Sequence, residues 1–313
     1  MKLATRVNSF LPLYNNDLGE VFGAFKECGL KYANLNYPEH TDGYSAQQVK
    51  EMLNKNGMEL NGVNLRFRAD YVNGELANSD PEIAKKAVQL CKDAADYCRE
   101  AGGRVVTIWL GFDGFDYSFQ VDYARMWKAQ VKAFQEIADY APDMRITIEY
   151  KPYEERGFAF IDSMGVTGMI LNEANRDNLG ITLDYCHMLM KRENPAYPVE
   201  IFGRKNKLFG IDFNDGYGLS DDGLMIGTAT PFQILEFLYY VRKHEFDGVI
   251  YFDTFPVVEH PVKECKENIK MINMFNDIIE EVGMDKIQEV IDKNDATEAT
   301  HLLREFIGQK DYK

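Results

Sequence analysis

The sequence predicts a (β/α)8 barrel with a helical C-terminal extension, an assignment that rests on three observations. Short apolar runs alternate with longer amphipathic segments along most of the chain, eight such runs occur, and no glycine-rich phosphate loop follows the first of them. The β-like runs fall at residues 5–10, 32–36, 59–65, 104–110, 145–149, 179–184, 208–213 and 249–253. They are short, rich in Val, Ile, Leu or Phe, and apolar on both sides, as parallel strands buried on both faces should be. An open doubly wound sheet is the alternative. Against it, Val7-Asn8-Ser9-Phe10 leads into Leu11-Pro12, where a nucleotide-binding sheet would carry its glycines. Eight strand–helix units therefore fit a barrel better.

The intervening helices are expected at segments such as 45–56, 81–101, 123–140 and 231–243. In the second, Ile83, Ala87, Leu90, Cys91, Ala94, Ala95 and Cys98 recur at helical spacing, while Lys85, Lys86, Lys92 and Asp93 point outward. Asp80 before Pro81 makes an N-cap and first-turn pair, and Thr230 before Pro231 is expected to do the same. The barrel domain spans residues 1–283. Residues 284–313 form an amphipathic tail whose apolar positions are Ile287, Val290, Ile291, Leu302, Leu303, Phe306 and Ile307. Such a face must be buried on the barrel or on a neighbouring subunit, so a homo-oligomer is expected.

Composition narrows the function. The 313 residues are 45% hydrophobic and 27% charged, enough to build a large core. The net charge of -15 and the scarcity of basic clusters beyond Arg204, Lys205 and Lys207 argue against a nucleic-acid partner. No apolar run approaches the roughly 20 residues of a bilayer-spanning helix. Arg6, Asn8 and Pro12 interrupt any signal-like start, so a cytoplasmic protein with no membrane partner is expected. Five scattered cysteines without a C-x-x-C pair read as reduced thiols rather than a thiolate zinc site. Cys186 reads as a small buried apolar residue.

Barrel chemistry sits at the C-terminal ends of the strands. The residues there are Asn36, Asn64, Trp109, Glu149, Asp184, Asp212 and Asp253. A single strand-end carboxylate is ordinarily a turn or cap residue. Four on consecutive strands converge, and two like charges about 4 Å apart repel by about 4 kcal/mol at an effective dielectric of about 20. Protons or a divalent cation must neutralise them. Oxygen ligands with at most one imidazole point to Mg²⁺, Mn²⁺ or Co²⁺. His187, three residues after Asp184, shares that pocket as a ligand of a second cation.

Other residues carry two readings each. The loop NDGYGLSDDG brings Asp215, Asp221 and Asp222, as an acidic glycine-rich turn or as further ligands. Lys151 either relieves repulsion or donates to a substrate oxygen that gains charge. Trp109 and Phe112 form an apolar pocket wall or core packing. Asn36, Asn64, Arg66, Arg68 and Asp113 are pocket candidates, and Arg66 and Arg68 either bind a phosphate or carboxylate or offset the acids.

The stretches IEYKPYEERG, LDYCHM, LFGIDFNDG, SDDGLMIGT and IYFDTFP resemble the xylose isomerase-like TIM barrels, the sugar isomerase and epimerase superfamily. The resemblance covers most of residues 1–275, with its specific motifs in the second half. Glu149, Lys151 and Pro152 match the motif after strand five, Asp184 and His187 the acid–histidine pair, Asp212 the strand-seven acid, and Asp253 with Pro256 the final motif. The resemblance implies a first cation held by Glu149, Asp184, Asp212 and Asp253, and a second held by Asp184 and His187 with help from Asp221. The chain departs in two places. Gly223 stands where xylose isomerases carry a second loop aspartate, and Tyr37, with His40 nearby, takes the place of the ring-opening histidine.

The implied activity is metal-dependent aldose–ketose isomerisation of a small, unphosphorylated or branched sugar, with Glu149, Lys151, Asp253 and His187 catalytic. The alternative is ketose 3-epimerisation, in which two acids face opposite sides of one carbon; Asp253 would reach about 1.5 Å less than a glutamate. Outside these classes stands a catalytically silent sugar-binding barrel. An apurinic endonuclease of the same architecture is disfavoured by the net charge and by the single histidine near the acids.

Overall fold

Backbone pairing assembles eight parallel strands into one sheet in the computed structural model, which describes residues 1–308. The strands are β1 (Lys2–Thr5), β2 (Tyr32–Tyr37), β3 (Glu59–Leu65), β4 (Val105–Trp109), β5 (Arg145–Glu149), β6 (Leu179–Asp184), β7 (Leu208–Phe213) and β8 (Val249–Phe252). Their order is β1-β8-β7-β6-β5-β4-β3-β2, and β1 and β2 at the two ends lie side by side, so the sheet curls into a nearly closed barrel. Helices α1 (Leu18–Cys28), α2 (Ala46–Lys55), α3 (Pro81–Ala101), α4 (Tyr123–Tyr140), α5 (Met164–Ala174), α6 (Tyr185–Lys191), α7 (Ala196–Gly203), α8 (Pro231–Lys243) and α9 (Pro261–Val282) surround it. A two-stranded ribbon, Gly114–Phe115 against Phe158–Ala159, joins the loops after β4 and β5.

The first strand differs from expectation. Residues 5–10 read as a strand because Val7 and Phe10 are apolar, but the ladder with β8 ends at Thr5. Val7 accepts the Phe10 N–H at 2.9 Å and the chain turns into a 3-10 helix, Leu11–Tyr14. Val7 and Phe10 are buried nonetheless, and the Phe10 ring meets Phe25 of α1 edge-on at 4.9 Å. The pattern was right about burial and wrong about the partner. Its consequence is that Arg6 leaves the strand at the barrel mouth.

Alternation along the strands sorts the two faces. Ile146, Ile148, Ile181, Leu183, Ile211 and Phe213 enter the main core, shared with the helices. The residues between them are polar or small. Thr147 and Thr182 share a hydroxyl hydrogen bond at 3.0 Å, and Gly210 is so close that a β-carbon there would lie 2.4 Å from the Thr182 hydroxyl. The strands are therefore not apolar on both sides, because the barrel lumen near the mouth is built for polar side chains.

Helix starts follow capping chemistry. The Asp80 carboxylate accepts the Glu82 N–H at 2.9 Å, and Ser45 with Gln48 forms a reciprocal capping box. Thr230 does not cap α8. Its hydroxyl donates to Asp215 at 2.8 Å, and Asp215 instead accepts the N–H groups of Ala229 and Thr230 at 2.7 and 3.0 Å. A buried aspartate one loop away was the stronger acceptor.

Two tail helices, α10 (Met284–Lys293) and α11 (Ala296–Phe306), pack against α9, burying Ile287 and Leu302. The Tyr239 hydroxyl of α8 donates to Gln288 at 2.8 Å. Residues 309–313 of the expected tail lie outside the described residues.

Tyr185, Phe213 and Phe237 form an aromatic trio, with ring centroids 5.3–5.4 Å apart, between β7 and α8. Phe237→Ala removes its centre and is expected to lower unfolding free energy by about 3–5 kcal/mol in denaturant titrations. A loss below about 1 kcal/mol would show that the site collapses without cost.

Candidate active site

Strand β6 ends at Asp184 and α6 starts at the next residue, so Asp184 is that helix's N-cap, accepting the His187 N–H at 3.0 Å. The spacing of three is thus a capping geometry that also brings the imidazole back over the strand end. Both residues are buried, at 1% and 2% exposure. The His187 Nδ1 lies 2.9 Å from the Tyr150 carbonyl, which requires its proton on Nδ1. Nε2 therefore faces Asp221, 3.3 Å from its carboxylate. A histidine whose far nitrogen is fixed by a backbone carbonyl is oriented as a ligand is.

Register sets the acids. Asp184 pairs directly with Asp212, and Glu149 pairs with Thr182, one step deeper in β6 than Asp184. Asp212 pairs with Tyr251, placing Asp253 just past the end of β8. Asp253 is held by Arg6, which donates at 3.1 Å and stacks on Phe255. Asn214 donates to the Asp253 carbonyl at 3.2 Å and to Asp184 at 3.4 Å. Glu149 and Asp212 accept no hydrogen bond from any described residue.

The electrostatics follow. Burial, reinforced by the neighbouring acids, pushes the Asp184 carboxyl up to about 8 and raises Glu149 and Asp212 as well, Asp212 by the larger margin. Burial opposes charge on His187, but Asp184, Asp221 and Glu149 overcome it and hold the imidazole near 9. Asp221 goes the other way: despite its burial, His187 and Lys151 keep it well below the carboxylate range. Lys151 lies 3.0 Å from Asp221 and also pairs with Glu154, and these acids outweigh its burial to raise its own pKa.

A cation fits these residues. Glu149, Asp184 and His187 offer ligand atoms within 4.8 Å of one another. Half-buried Glu149 and buried Asp212 accept no hydrogen bond from any described residue, and Asp221 Oδ1 is buried with no partner. Hard oxygen donors in that number match a divalent cation of the Mg²⁺ or Mn²⁺ kind.

Above this cluster opens a cavity of about 230 Å³, lined by Trp109, Glu149, Lys151, His187, Asp221 and Asp253, together with Arg6, Arg66, Glu154 and Phe255. Asp184 and Asp212 lie beneath it. The other sequence candidates go elsewhere. The Phe112 amide donates to Glu75 and the residue lines a separate cavity, because the loop after β4 folds away from the mouth. Asn36 donates to Asn8 at 3.2 Å and Asn64 accepts from Asn34 at 3.5 Å, and neither lines the cavity. Asp113 is a buried acceptor for the N–H groups of Glu75 and Ala77, and Arg68 pairs with Glu39 at the surface. In the acidic loop, Asp215 ties down the start of α8 and Asp222 accepts from Tyr217 and Ser220, leaving Asp221 as the one loop acid in the site. Gly223 has φ +56°, and a β-carbon there would lie 2.3 Å from the Phe255 ring, so no acid can stand at that position. Cys186 is buried, with its thiol pushed up by burial.

Sequence reading missed Arg6, Glu154, Phe255 and Asn214. Ending the first strand at Thr5 would have exposed Arg6. Glu154 and Phe255 stand inside the motif stretches EYKPYEERG and IYFDTFP, but their direction depends on loop conformation.

A barrel with an oxygen-rich candidate cation centre at its mouth is the class of protein that fold and site define. Residues 22–274 match the xylose isomerase-like TIM barrel family, and the chain belongs to that family. Among solved structures it is similar to a D-tagatose 3-epimerase-like protein, at 18% identity over 90% of this chain and 99% of that one, with a TM-score of 0.71. It is similar to an L-ribulose 3-epimerase, at 14% identity over 88% and 92% of the two chains, TM-score 0.70. A 3-keto-D-glucoside 4-epimerase from E. coli matches at 13% identity over 87% and 98%, TM-score 0.69. At these identities the likeness speaks to the fold. Among the described residues no helix is long and apolar enough to cross a membrane.

Folded-state values near 8 for Asp184 and near 9 for His187 lie above their ordinary ones, so the metal-free folded protein binds more protons than the unfolded chain. Its stability therefore falls as pH rises from about 6.5 to about 9. Ligands must shed those protons to bind a cation, so Mn²⁺ is expected to raise the melting temperature more at pH 9 than at pH 6.5. A melting temperature independent of pH and Mn²⁺ across that window would remove the cation assignment. Asp212→Asn relieves the repulsion without a cation: the metal-free protein should melt higher than wild type, and the Mn²⁺ increment should vanish.

Proposed function

We propose that the chain is a divalent-metal-dependent enzyme that inverts a ketose at the carbon beside its carbonyl, a ketose 3-epimerase. The observation that carries this is the placement of Glu149 and Asp253: both line the cavity, on β5 and just past β8, with two strands and the buried pair Asp184 and Asp212 between them. Two carboxylates facing one small space can work on opposite sides of one carbon. The solved structures similar to this chain include several ketose 3-epimerases, which supports this reading over the aldose–ketose isomerisation implied by the sequence motifs.

Glu149, Asp184, Asp212 and Asp253 would hold the cation, which when bound supplies Lewis acidity to the carbonyl and adjoining hydroxyl oxygens of the sugar. The residues do the rest. One of Glu149 and Asp253 takes the C3 proton, and the other returns a proton to the opposite face, so the skeleton is unchanged and no oxidant is needed. Burial raises the Glu149 carboxyl above its ordinary range, while Arg6 keeps Asp253 positioned. Lys151 and His187 share Asp221 between them, so that acid is held away from the reacting carbon. Trp109 walls the cavity and restricts water.

One observation favours isomerisation: Lys151 lines the cavity beside Glu149, where its ammonium could donate to a substrate oxygen. Turnover of D-tagatose by the Mn²⁺-loaded protein in D₂O separates the two. Epimerisation gives a ketose with one deuterium at C3, whereas an aldose product formed by hydride shift carries none. Glu149→Gln is expected to lower kcat by about 100- to 10,000-fold. An aldose product would overturn the epimerase reading, and the absence of turnover with any ketose or aldose would leave a binding barrel.

A further inference from the structure

Three arginine or lysine side chains line the cavity, and two are already engaged. Arg6 pairs with Asp253 at 3.1 Å, and Lys151 pairs with Asp221 at 3.0 Å and with Glu154. Arg66, immediately after β3, is different. Its guanidinium lies over the Trp109 ring, 5.5 Å from the centroid, and makes no hydrogen bond or ion pair with any described residue. The indole face fixes it from one side, leaving its fork of N–H donors to whatever enters the cavity.

A second donor lies close by. His40 Nδ1 accepts the Asn36 N–H at 3.0 Å, so in the neutral ring the proton sits on Nε2, which is buried and has no partner. Burial, aided by the charges of Arg66, Arg6 and Arg68 and opposed by Glu39, pushes this histidine down to about 4 and keeps it neutral. The mouth is therefore bipolar. Acids end β5 to β8, while Arg6, His40 and Arg66 follow β1, β2 and β3.

We infer that the substrate is a sugar acid, and that Arg66, on the β3 side of the cavity, selects its terminal carboxylate. This deepens the epimerase reading and rests on it for the reacting end of the molecule. A neutral sugar would meet Arg66 with hydroxyls alone, leaving its fork of N–H donors without a two-oxygen acceptor. One unpaired, planar guanidinium matches the single charge and the two oxygens of a carboxylate, whereas a phosphate monoester brings nearly two charges. Arg66 is also felt by Glu149 and Asp212, but offsetting those acids does not require a fork open to the cavity.

The test uses ligands that cannot react. Calorimetry on the Mn²⁺-loaded protein compares D-gluconate with D-sorbitol, which matches it in length and lacks the charge, and repeats both on the metal-free protein. Gluconate is expected to bind at least about tenfold more tightly, and the preference should disappear in Arg66→Met and shrink in Arg66→Lys, which keeps the charge but not the fork. A preference absent from wild type, or one that survives Arg66→Met because the carboxylate sits on the cation, overturns the inference. Sorbitol 6-phosphate binding more tightly than gluconate in an Arg66-dependent way overturns the carboxylate assignment. Because neither gluconate nor sorbitol has a carbonyl, this outcome stands apart from the reaction. Neutral ketoses epimerised with no preference for acids would sink this inference alone, and an Arg66-dependent preference without any turnover would sink the reaction alone.

Discussion

Repulsion among buried carboxylates is the constraint from which the rest of the molecule follows. Asp184 and Asp212 are paired in register, Glu149 is set one step deeper against β6, and Asp253 closes the group from β8. Charges that close cost several kcal/mol per pair even with generous screening, and a whole domain is stable by only about 5–15 kcal/mol. The fold answers with specific devices. Asp184 caps α6 and accepts the His187 N–H, Arg6 pairs with Asp253, and Lys151 with His187 neutralises Asp221. Glu149 and Asp212 accept no hydrogen bond from any described residue; His187, 3.6 Å from Glu149, and the more distant Arg66 offset them only in part, and that deficit marks the candidate cation site.

Precision at such a site has to come from parts that do not touch substrate. The Tyr150 carbonyl fixes the His187 tautomer, and Asn214 links the β7 end to both Asp184 and the Asp253 backbone. Below them, the Thr147–Thr182 contact and the close approach at Gly210 lock adjacent strands in register. A one-residue slip of any of these strands would turn its acid toward the helices. The apolar half of each strand, packed under the helices, supplies the energy that prevents the slip.

The same mouth is asymmetric in a way that bears on what it accepts. Its acidic half carries the candidate cation site, and its basic half presents Arg66, with Arg6 and His40 nearby. Gly223, pressed against Phe255, removes one position for a further acid, and the Lys151 ammonium pairs with Asp221 at 3.0 Å instead. The chain thus sets one candidate cation site of clustered acids beside fixed positive charge.

Much of this was legible in the sequence. Eight strands were placed by apolar runs, seven of them to within a residue or so, and Glu149, Asp184, Asp212 and Asp253 were found because strand ends in a barrel converge whatever the loops do. His187 followed from its spacing to Asp184, since a cap and the third residue of its helix are neighbours by local geometry. What lay beyond reach depended on long-range packing. Val7 and Phe10 were read as strand, because burial against α1 and burial in a ladder leave the same apolar signature. Phe112, Asn36 and Asn64 were placed in the pocket by position along the chain, yet loop direction turns Phe112 away and the amides of Asn36 and Asn64 bond to Asn8 and Asn34 instead. Among three loop acids, only tertiary contacts separate Asp221 from Asp215 and Asp222. The sequence by itself determined the barrel and its ring of acids, because both arise from periodicity and local spacing. The tertiary structure alone decided which charges are partnered and which are left facing the cavity, because that depends on side chains meeting from strands and loops far apart in the chain.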